Sequence, residues 1–462
     1  MTYRQSPAAG AAARLRILSD DDLRRLDAAA LDVLAAVGIT GPSARARKAL
    51  VAAGAAADGA RLTIPPGVVR ELVGRVPRRL TLGARAGRAL VTGAGSLLTT
   101  DGCCVEIHDL ESGEKRATTA ADVADIARLV DALPSVDFCW PAVSAQDRPA
   151  EVRGLHELYE AVANTGKHVQ TVTVVEPRAA EVAVEMARAL CDGDGDRLQA
   201  EPPISALLGT VTPLGNDEGT LEAGLVFAAA GVPIGFVSMP MGGSTTPVTM
   251  AGSLVVGIAE TLGAVAAVQA AVPGAPVFIC LIPSVMDLKT GDFTGGAPED
   301  TVMGAATADV GRFYGLPTQC GVNSSGAKEP SWQSALDDTT TTYLSLLAGV
   351  DMLTGVGMVS GGRIFSCEEL LLAVDVAERA RAVAAGLAGA MPEPTSVVPE
   401  PPPPGRGGAL VPPALPLVEP TRDAPTARAR AAQLALGLLR THEPPALAPA
   451  VDRRLRRLLG DA

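Results

Sequence analysis

From about Gly93 onward the chain repeats one alternation: a short run of branched aliphatic residues, then a stretch long enough for a helix. That βαβα order builds a parallel sheet with helices packed on it, because parallel neighbours need crossover connections. The spacing predicts strands over 96–107 (or a hairpin there), 136–144, 168–175, 203–211, 233–241, 276–284, 317–323 and 352–359. It predicts helices over 120–132, 151–164, 179–190, 251–272, 298–314 and 366–388. From the third strand on, the runs are nearly continuously hydrophobic, as expected of strands covered on both faces. Eight strands separated by helices give the arithmetic of a (β/α)8 TIM-type barrel, within the α/β class. A doubly wound open sheet is the alternative, and no G-x-G-x-x-G follows an early strand to favour it.

The flanks differ from this core. Ser19 followed by Asp22 forms a capping-box start, and Leu23, Leu26, Ala30, Leu34 and Val37 fall on one helical face before Gly38. Further helices fit 43–53 and, from Pro65-Pro66, 65–76. At the other end 391–420 carries proline runs such as 401–404, which suit an extended linker. Basic helical pieces at 427–439 and 451–459 follow it, read as a loosely folded tail or as a partner-binding one. The expected division is 1–92 helical extension, 93–390 barrel, and 391–462 Pro-rich linker with a short helical tail.

Composition narrows the function. The 462 residues carry a net charge of −12 with no basic cluster, which argues against nucleic acid. The seven cysteines are odd in number, mostly scattered and without C-x-x-C spacing, so neither disulfides nor a zinc ribbon is expected. The first 16 residues lack the apolar segment of a signal peptide. The apolar run 251–272 contains Glu260 and Gln269 and reads as a buried helix, not a membrane span. A cytoplasmic protein is the expectation.

Barrel chemistry belongs to the loops after each strand. Those loops supply Asp101, Glu106, Ser144, Gln146, Thr171, Thr173, Thr210 and Thr212, then 239–246, 284–292, 320–328 and 358–365. The four histidines show no H-E-x-x-H or H-x-H spacing, and neither a G-x-S-x-G elbow nor a Walker loop occurs. No metal site is expected. A mouth rich in Gly, Ser, Thr and Met with scattered carboxylates suits a small neutral or cationic ligand.

The segments 239–249 (MPMGGSTTPVT), 283–287 (PSVMD), 110–114 (LESGE), 118–123 (TTAADV) and 164–168 (NTGKH) resemble the trimethylamine methyltransferase (MttB-like) family, in order from about Leu18 to Leu387. The resemblance implies a (β/α)8 barrel that moves a methyl group from an amine to the cobalt of a separate small corrinoid protein. Since only standard residues occur, the chain resembles the pyrrolysine-lacking branch, whose members use quaternary amines such as betaines. The enzyme itself would bind no cofactor tightly, the corrinoid being supplied by the partner, and a homo-oligomer is possible. A cation pocket needs aromatic faces or a carboxylate, and aromatics are few: seven Phe, four Tyr and two Trp. Trp332, Phe365, Phe293, Tyr159 and Trp140 are the aromatic choices, with Trp332 placed in a polar loop. Asp287, Asp292 and Glu368 are the acidic ones, Glu368 matching an acidic position of the family. Asn323 is a carboxylate-binding choice, and Met241 lies in the resembling loop. No catalytic residue is singled out. The family's Gly-Gly-His and His-Thr features are missing beyond the barrel, where the proline-rich stretch stands. The competing reading is therefore a catalytically lapsed barrel that binds a small cation as sensor or scaffold.

Overall fold

In the computed structural model, which describes residues 14–291, 293–322, 325–385 and 426–460, the chain starts with α1 (Asp20–Ala36), α2 (Ala44–Ala52) and α3 (Pro66–Val73). The capping box forms: the Asp22 amide donates to Ser19 Oγ and the Ser19 amide donates to the Asp22 carboxylate. Val37 is the exception to the expected buried face. It lies past the last helical turn and is exposed.

The central parallel strands are β1 (Leu97–Thr100), β2 (Val169–Thr171), β3 (Ile204–Val211), β4 (Ile234–Ser238), β5 (Val277–Leu281), β6 (Thr318–Gly321) and β7 (Met352–Val356). They pair in the order β2-β3-β4-β5-β6-β7-β1, every pair parallel. Between the two outer strands, the 136–144 run makes isolated parallel bridges, Thr99 to Phe138 and Cys139 to Val169. The sheet is strongly curved. Gln319 Nε2 on β6 donates to Gln170 Oε1 on β2 at 3.0 Å, although four strand spacings of about 4.8 Å would hold them roughly 19 Å apart in a flat sheet.

The helices that follow are α4 (Ala120–Ala132), α5 (Arg153–Asn164), α6 (Pro177–Leu190), α7 (Gly195–Ala200), α8 (Glu218–Ala229), α9 (Met250–Ala271), α10 (Pro298–Tyr314), α11 (Trp332–Ala348) and α12 (Cys367–Ala385). Alternation along each strand separates two apolar groups. Leu98, Ala206, Leu208, Ile279, Leu281 and Leu353 join the main core with the helices. Leu207, Val237, Phe278, Cys280 and Met352 gather on the concave face with Phe138 and Trp140. Leu80 and Leu82, from a short antiparallel pair, close the amino end of that concave face.

Helix α9 has the length and hydropathy of a membrane span, and 78% of its most apolar window is buried inside the protein. Strands pack on one side of it and α1, α2 and α3 on the other, which is why it is apolar all round.

The run at 96–107 is not a hairpin. β1 ends at Thr100, and Glu106–His108 pairs with Lys115–Ala117 and Ile364–Ser366 in a separate small sheet. The proline-rich stretch lies outside the described residues. The tail helices α13 (Ala427–Thr441) and α14 (Pro449–Gly460) are not loosely folded. α13 docks on α12 and α4, α14 on α5 and α6. Ala431, Ala435 and Leu455 are fully buried, His442 Nε2 lies 2.7 Å from Asp131 Oδ2, and Tyr159 donates to Asp452 at 2.7 Å. Ala435→Asp would bury an unpaired charge in this seam, at about 3 kcal/mol. Amide exchange in α13 is expected to rise at least a hundredfold, while the central strands keep their protection.

Candidate active site

The carboxyl ends of the parallel strands form one rim. On β1 the inward residues are Leu97 and Thr99, so the next inward position beyond the strand is Asp101. Asp101 is 8% exposed. Its Oδ1 accepts from the Gly102 amide at 2.7 Å, and the Thr354 hydroxyl on β7 lies near it with its proton directed to the Thr100 carbonyl at 2.7 Å. Its charge acts on Cys280 of β5, on the concave face. Burial pushes its carboxyl up to about 6, against the Gly102 hydrogen bond and the nearby Thr354 hydroxyl dipole. No basic side chain contributes to that shift, and no ion pair involving Asp101 occurs among the described residues.

Polar atoms without partners stand beside it. Trp140 is 3% exposed and its Nε1–H has no acceptor among the described residues. The indole rests on Gly102, where a Cβ would come within 1.9 Å of Nε1. The fully buried Gln319 holds Gln170 through Nε2 while its Oε1 has no partner among the described residues. Buried polar atoms seldom stay unpaired unless a ligand or water completes them. A cleft of about 30 Å³ lies between the ends of β5 and β6 (Ile282, Pro283, Gly321) and helices α10 and α11 (Gly304, Thr341), with Phe293 at its side. Phe293 bridges back to Met286 and abuts Gly361. A larger cavity, about 220 Å³ between Asp27, Arg70 and Tyr314, lies among α1, α3 and α10, away from the strand ends. Its Asp27 carboxylate is already bound by Arg70 and Tyr314. No group of three or more His, Cys, Asp or Glu among the described residues could hold a metal ion.

The sequence choices scatter. Met241 and Asp287 come together at the rim, where Met241–Gly242 pairs in parallel with Ser284–Val285 above β4 and β5. Asp287 is half-buried and its Oδ1 caps a turn by accepting from the Lys289 amide at 2.8 Å. Asn323 and Asp292 lie outside the described residues. Trp332 is not in a loop: it opens α11 behind the Ser331 cap and is 82% exposed, so it forms no cage. Phe365 is fully buried against Gly357 in the main core, because the chain after β7 turns back as an antiparallel pair. Glu368 faces the tail: Ser366 Oγ donates to it at 2.7 Å, and Arg428 of α13 lies 3.5 Å away. Beneath it burial pushes the Asp338 and Glu369 carboxyls up, with mutual repulsion adding to Asp338. Trp140, one of the aromatic choices, and Asp101, noted only as a strand end, are the pair the site is built on. The period-two alternation from Thr99 to Asp101 is the signal that points to the latter.

The trimethylamine methyltransferase family model matches residues 4–395. The chain belongs to the trimethylamine methyltransferase family. It is similar to the trimethylamine methyltransferase MttB of Methanosarcina barkeri, 30% identical over 370 residues that cover 78% of this chain and 74% of the relative. A glycine betaine methyltransferase of Desulfitobacterium hafniense is 27% identical over 368 residues, covering 79% of this chain and 76% of that one. Among solved structures, the monomethylamine methyltransferase of Methanosarcina barkeri shares the fold, with a TM-score of 0.56, 13% identity, and coverage of 96% of this chain and 88% of the other. The family match ends before α13 and α14, so the docked tail helices lie beyond the matched segment.

Proposed function

We propose that the curved sheet is a closed (β/α)8 barrel and that its mouth holds a quaternary or tertiary methylamine for methyl transfer to a corrinoid protein. The parallel bridges at Phe138 and Cys139 support closure. The observation that carries the function is Asp101, an inward carboxylate at the strand ends without a basic partner among the described residues, in a chain of the trimethylamine methyltransferase family. The acceptor is the Co(I) of a separate corrinoid protein, which takes the methyl group while the C–N electron pair stays on nitrogen. Leaving as a neutral tertiary amine, the product of a quaternary substrate needs no general acid. The chain's task is then positioning and exclusion of water. Asp101 opposes the ammonium charge, Trp140 fixes one wall, and Phe293 covers the outer edge. Around the rim Val105, Val211, Met239, Val248 and Leu288 are exposed, an apolar surface suited to a docked partner. The reaction belongs in the cytoplasm, and the enzyme keeps no cofactor of its own.

Mixing the protein with Co(I)-cobalamin and a panel of methylated amines should give methylcobalamin, read from its visible spectrum. Measurable binding without product across the panel would instead support the lapsed, cation-binding barrel.

A further inference from the structure

We infer that the barrel mouth selects methylated ammonium ions of net positive charge and disfavours zwitterions that carry a carboxylate. The inference rests on the functional reading above and narrows its substrate class. Asp101 is buried to 8% exposure with the Gly102 amide as its one donor and no basic partner among the described residues. A fixed cation is the ligand that completes such a group, and an ammonium without acidic protons does so by charge alone. The unpartnered Gln319 Oε1 adds a second acceptor to the same concave face and no positive charge. A betaine brings a carboxylate that needs a cation or several donors of its own. The inward positions of the described strands provide none. Lys289, Lys328 and Arg363 in the neighbouring loops are exposed, Arg363 is already paired with Glu106 at 3.0 Å, and the half-buried Arg153 at the start of α5 donates to the Arg148 carbonyl and lies by the Glu157 carboxylate. Trp140 Nε1 offers one neutral donor, which suits the hydroxyl of an amino alcohol or a water.

The chain has two tryptophans, so Trp332→Phe, at an 82% exposed position, leaves Trp140 as the reporter. The full-length variant is titrated with tetramethylammonium, choline and glycine betaine, with calorimetry as a second readout. Tetramethylammonium and choline are expected to bind at least tenfold tighter than glycine betaine. Adding Asp101→Asn should weaken the two cations by about 30-fold, about 2 kcal/mol at 1.4 kcal/mol per decade, and leave betaine within threefold. Equal or tighter binding of betaine overturns the inference, and so does unchanged tetramethylammonium affinity in Asp101→Asn. If betaine both binds tightly and yields methylcobalamin, only the charge selection falls. If none of the three binds, the functional reading falls with it.

Discussion

Asp101→Asn is expected to make the ligand-free protein more stable at neutral pH, although it removes the carboxylate on which binding depends. Burial holds the Asp101 carboxyl at about 6 in the fold, against 3.8 for an ordinary aspartate. A raised carboxyl means that the native state holds its proton more tightly than the unfolded chain. Below pH 3.8 both states are protonated and the residue contributes no difference. Between 3.8 and about 6 the native state binds more protons, so stability falls as pH rises. Above 6 the loss is complete, about two pH units at about 1.4 kcal/mol each, or roughly 3 kcal/mol. Asparagine keeps an oxygen for the Gly102 amide and can turn one N–H to the Thr354 hydroxyl oxygen, which leaves its second N–H without an acceptor, at about 1 kcal/mol. The net expectation is a gain of about 2 kcal/mol at pH 7.5 that disappears below pH 4. Urea unfolding at both pH values measures it. A variant equal to or less stable than the parent at pH 7.5 would show that the carboxylate is already compensated without a ligand. The gain and the lost affinity belong together: a site that must receive a cation stays unneutralised until it arrives.

Much of the fold is legible in the sequence because each signal is local. The Ser19 capping box fixes the start of α1, and the apolar runs at 204–208 and 277–281 are short enough, between prolines and turns, to read as strands, and both are buried along their length. What local signals miss is who covers whom. Helix α9 resembles a membrane span until α1, α2 and α3 are laid on its outer side. Helix α11 escapes notice because its threonines and serines, such as Thr341 and Ser345, are poor helix formers that turn inward. Site residues suffer most where a loop changes direction after its strand. Glu368 and Phe365 follow β7 closely in sequence, yet the antiparallel return at Met358–Val359 carries them away from the concave face. Asp101 stays at the mouth because it continues β1 without a turn, two positions beyond the inward Thr99.

Glu260→Ala is expected to cost about 4 kcal/mol, the largest single loss among the substitutions considered. Glu260 is fully buried on α9, which packs on the outer side of β3 and β4. Its Oε1 accepts from the hydroxyls of Thr210, from Thr212 at 2.9 Å and from Ser238 at 2.9 Å, and its Oε2 accepts from the Leu214 amide at 2.9 Å. One side chain thus ties the longest apolar helix to the ends of two strands and to the turn beyond β3. Alanine would leave the buried Ser238 hydroxyl and Leu214 amide and the half-buried Thr212 hydroxyl around a void, while Thr210 keeps the Val237 carbonyl at 3.0 Å; each unpaired buried donor costs about 1–3 kcal/mol before relaxation. Glu260→Gln is the informative control. Its amide oxygen serves the hydroxyls, but its amide nitrogen meets the Leu214 N–H donor to donor, so an intermediate loss of about 2 kcal/mol is expected. Because Thr210 and Val211 lead into the mouth, slackening this tie should also weaken tetramethylammonium binding several-fold, although Glu260 touches no ligand. Chemical denaturation of the two variants, with binding measured on the folded fraction, decides the matter: an alanine variant within 1 kcal/mol of the parent would mean that the network contributes no net stability and that α9 is held by its apolar contacts alone.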